Sequence, residues 1–138
     1  MKPIILTDKS CQLTQSQIDN KDIFVINSDK SALGQIVYTL DILSSTGTDI
    51  IYLSSHEFYK SVILACEKIA SMHSKNAIIV IDTESSSLTQ EELIKNVVSS
   101  KNIIDTLTSS QCSYNIVYDK NEESLLKNGL VNRLLFNF

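Results

Sequence analysis

Polar residues that could bind a ligand or do chemistry follow each of five short apolar runs in this chain. In the first of these groups, Asp8, Ser10 and Cys11 crowd a carboxylate, a hydroxyl and a thiol into one turn. Hydroxyls near helix N-termini, with the positive ends of the helix dipoles, suit a carboxylate or phosphate ligand. Ser, Thr and Asp after a strand are also ordinary helix caps, and capping is the commoner role of any single one. The later groups are Asn27 with Ser28, Ser54 with Ser55, Asp82 with Thr83, and Asp119.

A histidine and three cysteines are the other candidates for chemistry. His56 follows the paired serines and could act as a general base or a ligand, because imidazole titrates near neutrality. Only Glu57 stands beside it in the sequence, so a surface or capping role is the commoner interpretation. Cys11 is a candidate reactive thiol near a helix start, with a structural role as the commoner alternative. Cys11, Cys66 and Cys112 lack disulfide or metal-site spacing, so we expect reduced thiols and no metal or other cofactor.

The elements that must position these residues are predicted from hydrophobic periodicity. Continuous apolar runs are typical of strands covered on both faces, and the segments between them have helical periodicity. Strands alternating with helices imply crossover connections and a mainly parallel sheet, so the polar residues after all five strands are expected at one sheet edge, among them Asp8, Ser28, Ser54, Asp82 and Asp119. The predicted strands are Pro3–Leu6, Ile23–Asn27, Ile50–Leu53, Ala77–Asp82 and Tyr114–Tyr118, and the predicted helices lie in Ser31–Leu43, Glu57–His73 and Leu88–Leu107.

Length and composition favour one α/β domain over residues 1–138, a mainly parallel sheet flanked by helices. The net charge is −4 and the twelve Lys and Arg are scattered, so we expect no nucleic-acid partner. No apolar run reaches the length of a membrane span, and the first residues do not resemble a signal peptide. Together with the unpaired cysteines, these features predict a cytoplasmic protein. The chain has no Walker motif, GxGxxG or GxSxG, so nucleotide hydrolysis, dinucleotide redox chemistry and serine hydrolysis lack support.

Five segments, in order, resemble motifs of the DegV family, bacterial proteins that bind a fatty acid and in some cases present it to a kinase subunit. Thr7–Leu13 stands where the family carries T-D-S-T-x-D-L, and Asn27–Gly34 stands where it has T-T-S-Q-P-S-P-G before a helix. The resemblance implies the amino-terminal domain of that family. The remaining matches are Thr48–Ser55, similar to a strand with paired serines, Val80–Leu88, similar to V-I-D-S-x-x-A-S-x, and Tyr114–Asp119 with Ser124–Gly129, similar to a strand followed by L-x-x-L-x-x-G-G-R.

The resemblance also implies a function. It predicts a non-enzymatic binding protein whose ligand is a fatty acid or another small carboxylate, with Ser28 aligned to a threonine that contacts the carboxylate in the family. The proposed ligand-binding residues are Ser28, Ser54, Ser55, Ser10 and Asp8.

The chain also departs from the family pattern. The segment Ser54–Tyr59 omits the serine and glycine of the family's L-S-G-T-Y, and that serine is the second carboxylate contact in the family. The match covers only the first domain, whereas the second domain supplies much of the family's acyl tunnel. The alternative is therefore a single-domain relative that has lost lipid binding and acts as a protein–protein interaction or regulatory module. A third and weaker class is an enzyme that uses the strand-end Asp and Ser residues.

The segment Leu130–Phe138 holds six apolar residues in nine positions. Burying such side chains stabilises a protein by about 1.5–3 kcal/mol each, so we expect this segment to be covered. We predict a short helix that packs on its own chain or across a two-fold homodimer, or that contacts another protein.

Overall fold

A computed structural model describes residues 3–8, 11, 13–26, 33–72 and 77–117, and its central feature is a five-stranded sheet flanked by helices. The spatial order of the strands is β2-β1-β3-β4-β5. This arrangement confirms the predicted single α/β domain with a mainly parallel sheet. The strands are β1 (Ile4–Asp8), β2 (Ile23–Ile26), β3 (Ile50–Ser54), β4 (Ile78–Asp82) and β5 (Tyr114–Val117); the helices are α1 (Gln15–Ile18), α2 (Leu33–Ser44), α3 (Tyr59–Met72), α4 (Gln90–Val98) and α5 (Ile103–Ser109).

The first four strands are parallel, and their pairing decides which residues meet at the sheet edge. β1 pairs with β2 and β3, and β3 pairs with β4, each in parallel register. At the carboxyl ends, Asp8 lies opposite Ile26, and Ser54 lies opposite Asp82. The ends of β1, β3 and β4 therefore form one continuous edge, which we call the carboxyl edge.

β5 is antiparallel to β4, which corrects the expectation that all five strand ends share one edge. Two helices, α4 and α5, separate these strands, and the second returns the chain to the level at which β4 ended. Two backbone hydrogen bonds join the chain after β4 to the chain before β5. Ser87 N–H donates to Ser110 O at 3.0 Å, and Asp82 N–H donates to Ser113 O at 3.0 Å. β5 thus begins at the carboxyl edge and runs away from it. Asp119, the polar residue predicted to follow the fifth strand, lies outside the described residues.

The helix predicted over Leu88–Leu107 is two helices rather than one. α4 ends at Val98 with Ser99 as its C-cap, and α5 begins after Asn102, whose side chain accepts from the Asp105 N–H. The linking segment Ser99 to Asn102 holds two serines and an asparagine, whose side chains favour caps over helix interiors. A short helix that the periodicity did not predict, α1, begins with a capping box between Thr14 and Gln17.

The sheet is covered on both faces, which explains the continuous apolar strands. On one face Ile51, Leu53, Ile79 and Ile81 pack with residues of α4 and α5. On the other face the core contains the alternate strand residues and the inward residues of α2 and α3. The members of that second core include Ile50, Tyr52, Ile78, Val80, Leu40, Val62, Cys66 and Ile69. A sheet held in this way is a rigid support for its edge.

In the described part of the chain, we find no helix that combines the length and the apolar composition required to cross a bilayer. The segment Leu130–Phe138, predicted as a packing or dimer element, lies outside the described residues, and so do Ser10 and Ser28.

Candidate functional site

The carboxyl edge brings together four of the polar residues that the sequence placed there. Asp8 ends β1, Ser54 ends β3 and Ser55 follows it, and Asp82 ends β4. All four are buried. Because buried polar groups require partners, the hydrogen bonds of these residues decide what each can offer a ligand.

The edge hydroxyls donate to backbone carbonyls of the neighbouring strand ends. Thr7 Oγ1 donates to Leu53 O at 2.7 Å, and Thr83 Oγ1 donates to Ser54 O at 2.8 Å. Ser54 Oγ donates to the carbonyl of Ser55 at 2.9 Å. The Thr7 and Thr83 bonds join the ends of β1 and β4 to the end of β3, and the Ser54 bond is local to the turn after β3. All three hydroxyl protons are engaged by backbone carbonyls at this edge.

Asp8 is held by a residue that the sequence analysis did not select. The hydroxyl of Tyr52, a fully buried residue of β3, donates a short hydrogen bond to Asp8 Oδ2. Burial raises the pKa of Tyr52 well above its ordinary value, and the negative charge of Asp8 raises it further. Tyr52 therefore remains a protonated donor, and the pair fixes the Asp8 carboxylate beneath the edge.

His56 places an exposed imidazole at the carboxyl edge. Its Nδ1 lies 2.7 Å from Oδ2 of Asp82; the histidine side chain is 77% exposed and that of Asp82 only 3%. The hydrogen bond and the charge of Asp82 raise the pKa of His56 above its ordinary value, and the charge of Lys60 opposes the rise. The ring is thus anchored at one nitrogen, and Nε2 is the nitrogen that remains for a ligand.

The local backbone explains how His56 reaches Asp82. β3 ends at Ser54, and the chain turns through His56 before α3 begins at Tyr59, whose N–H donates to His56 O at 3.3 Å. The N–H of His56 donates to Glu84 Oε2 at 2.6 Å, and the N–H of Glu84 donates to Asp82 Oδ1 at 3.1 Å. The turns after β3 and β4 therefore hold each other, with both Asp82 oxygens engaged.

The neighbours of His56 along the chain do not reveal this pairing. Glu57 adjoins it, whereas Asp82 and Glu84 contact it from the next strand end. The sequence does contain one indication of it, because it predicts that two consecutive parallel strands end at the same edge. Only the register of β3 on β4 was needed to bring the two side chains together.

The cysteines are poor candidates for nucleophiles. Cys11 is buried, with Sγ 3.4 Å from Leu53 O and 3.6 Å from Thr83 Oγ1, and burial raises its pKa to about 11. Burial also raises the pKa of Cys66 to about 12 and that of Cys112 above its ordinary value. All three are free thiols. Because the thiolate is the reactive form, these thiols are expected to be inert near neutral pH.

The described residues contain no cluster of metal ligands. Over residues 3–8, 11, 13–26, 33–72 and 77–117, no three His, Cys, Asp or Glu side chains lie close enough together to hold a metal ion. His56, held by Asp82, offers the chemistry of a charged donor or, when neutral, of an oriented imidazole.

The class of fold agrees with what the DegV resemblance implies, a single α/β domain with a mainly parallel sheet. Many unrelated proteins share this class, so function has to be argued from the site. Comparisons with protein-family models, with curated proteins and with solved structures found no match to this chain.

Proposed function

We propose that this chain is a non-enzymatic binding protein whose ligand is a fatty acid or another small carboxylate, held at the carboxyl edge. The observation that supports this most is the exposed His56 imidazole, whose positive charge is favoured by Asp82. An imidazolium N–H is a charge-assisted donor to a carboxylate, and such bonds are about twice as strong as neutral ones. Nε2–H of His56 is therefore the proposed primary contact.

The electrostatic surroundings of His56 favour an anion in two ways. Lys60 lies close enough for its charge to act on the imidazole. The 14-residue helix α3 begins three positions after His56, so the positive end of its dipole lies on the same side. The charges of Asp82 and the imidazolium offset each other, and Lys60 offsets the charge of Glu84, which accepts the His56 N–H. The positive end of the α3 dipole is then the contribution that favours one bound carboxylate.

The buried hydroxyls have a supporting part in this proposal. Thr7, Ser54 and Thr83 donate to the strand-end carbonyls, which holds the turn carrying His56 in one geometry. A site fixed in advance loses less conformational entropy on binding. Ser10 and Ser28, outside the described residues, are proposed as additional hydroxyl contacts on the basis of the family resemblance.

The ligand is tested first by native mass spectrometry of protein purified from its own cells. This measurement reports a co-purifying ligand and the oligomeric state together. We expect an acidic lipid or a small carboxylate to remain bound. A protein with no adduct is then titrated by calorimetry with decanoate, and with acetate to separate recognition of the carboxylate from that of the acyl chain.

Variants locate the contact. His56→Gln and Ser28→Ala should each weaken decanoate binding by about tenfold or more, because each removes a proposed hydrogen bond to the charged carboxylate. His73→Gln, which removes the other histidine of the chain, is the matched control and should bind as wild type does. Equal affinity of His56→Gln and His73→Gln for decanoate, or no binding of decanoate by wild type, would overturn the proposal.

A second candidate is a protein–protein interaction module, and a separate observation favours it. Tyr38 and Ile42, four residues apart on α2, are 68% and 48% exposed. Residues at this spacing share one helix face, and paired exposed apolar side chains are typical of contact surfaces. Sedimentation of wild type and of Tyr38→Lys with Ile42→Lys tests this candidate. It predicts a concentration-dependent dimer that the double variant converts to monomer, and a wild type that is monomeric at high concentration argues against it.

A further inference from the structure

We propose that His56 is also a phosphoryl acceptor, with Nε2 as the atom that takes the phosphoryl group while Asp82 holds Nδ1. This activity uses the neutral imidazole, whereas carboxylate binding uses the imidazolium. It goes beyond the proposed binding function and does not depend on it. The two can therefore fail separately.

The geometry around Nδ1 sets the tautomer of the neutral ring. Asp82 Oδ2 accepts at 2.7 Å, so Nδ1 carries the proton and the lone pair lies on Nε2. Asp82 cannot easily turn away, because its side chain is buried and Oδ1 accepts from the Glu84 N–H at 3.1 Å. Asp82 is thus a positioning residue that orients the imidazole and stabilises positive charge on it, as in other carboxylate–histidine pairs.

The position of the ring suits a donor that arrives from solution. His56 is 77% exposed, so its outer nitrogen can be reached by a macromolecule or by a small phosphoryl donor. The phosphoryl group would bring negative charge, which the Lys60 ammonium and the amino end of α3 would favour. The opposing charges are Glu84, which accepts the His56 N–H, and Asp82, which faces the other nitrogen.

The transfer step balances without any further reactant. With phosphoramidate as donor, the Nε2 lone pair forms the new N–P bond as the P–N bond of the donor breaks. The donor is zwitterionic and carries three protons on its nitrogen. The electron pair of the broken P–N bond stays on that nitrogen, so ammonia leaves without taking up a further proton. Nδ1 keeps its proton toward Asp82, so the positive charge of the phosphorylated ring faces a carboxylate. Nothing is oxidised or reduced.

The experiment is phosphorylation of the intact protein by phosphoramidate, followed by mass spectrometry, with N-acetylhistidine in parallel as the unassisted reference. We expect one HPO3 to be added rapidly to wild type and to His73→Gln, stable in alkali and lost in acid, and no mark on His56→Gln that forms faster than that on N-acetylhistidine. The rate on His56 should exceed that of N-acetylhistidine by about tenfold or more, since orientation by a carboxylate has effects of at least this size. Asp82→Asn should remove most of this excess.

A pH profile separates positioning from a merely structural role of Asp82. In wild type the rate, divided at each pH by that of N-acetylhistidine to cancel ionisation of the donor, should rise with pH through the raised pKa of His56, because only the neutral ring attacks. In Asp82→Asn the midpoint of the pH–rate profile should move to lower pH, and its plateau rate should fall. NMR of the His56 ring nitrogens should show the same change in the midpoint. Modification of His56 no faster than N-acetylhistidine, or an equal mark on His56→Gln, overturns the proposal. Urea unfolding of each variant confirms that it is folded.

Discussion

His56 Nδ1 and Asp82 Oδ2 lie 2.7 Å apart although 26 positions separate the two residues in the chain. The contact exists because β3 and β4 are parallel and in register, with Ser54 opposite Asp82. A buried carboxylate and an exposed imidazole are thereby joined at the carboxyl edge. Both functions proposed for His56 depend on this contact.

The His56–Asp82 pair should make stability depend on pH in a defined direction. The folded-state pKa of His56 is raised, so the pair stabilises the fold fully below the unfolded pKa of about 6.5 and loses this effect as pH rises through the folded value. In a His73→Gln background, urea unfolding should show His56→Gln less stable than its parent near pH 6 and equal to it in alkali. A difference that grows with pH would contradict the sign.

Removing the Tyr52 hydroxyl should destabilise the protein by about 1–3 kcal/mol, because Tyr52→Phe takes a donor from the buried Asp8 carboxylate. The matched control is Tyr38→Phe, which removes the same atom from a side chain that is 68% exposed and should change stability by less than about 0.5 kcal/mol. Urea unfolding measures both. If the two variants are equally stable, the buried pair does not support the edge.

The core that carries β4 is tested by truncating a leucine on α4. Leu93 is fully buried against the sheet, so Leu93→Ala should cost about 2–5 kcal/mol. Leu64 on α3 is 65% exposed, and Leu64→Ala should be nearly neutral. Thermal and urea unfolding compare them. Comparable losses in the two variants would show that α4 does not pack as described.

The thiols should be protected in the folded protein. Because burial raises the pKa of Cys11 to about 11 and that of Cys66 to about 12, Ellman's reagent should modify native protein slowly at about pH 8. The three cysteines should all react once guanidinium unfolds the chain. Fast modification of Cys11 in the native protein would restore the reactive-thiol hypothesis.

The class of fold could be predicted from the sequence because it depends on local pattern. Strands covered on both faces leave continuous apolar runs, and four of the five predicted runs agree in direction with the structure. The direction of β5 was not predictable in the same way, since a buried strand has the same pattern in either direction. It depended on the break between α4 and α5 at Ser99 to Asn102, which the periodicity of Leu88–Leu107 concealed.

The candidate site was predictable only in its location. Asp8 and Ser54 follow predicted strands and Asp82 ends one, so a parallel sheet brings them to one edge. Their partners could not be found from local pattern, because the Asp8–Tyr52 and Asp82–His56 contacts depend on strand register. The predictions for Ser10, Ser28 and Leu130–Phe138 remain predictions, including loss of stability or dimerisation in Leu134→Ser with Phe136→Ser.

Binding of a small carboxylate at the carboxyl edge through His56 can be followed by an NMR titration of 15N-labelled protein with decanoate. We expect shifts of the His56 ring nitrogens and of the Ser55 and Thr83 amides, with Asp49 and Ala77 at the opposite end of the strands unchanged. The same titration of His56→Gln should require about tenfold more decanoate or more. Shifts confined to Asp49, Ala77 or the outer face of α2, or no shifts at all, would show that decanoate does not bind at the carboxyl edge.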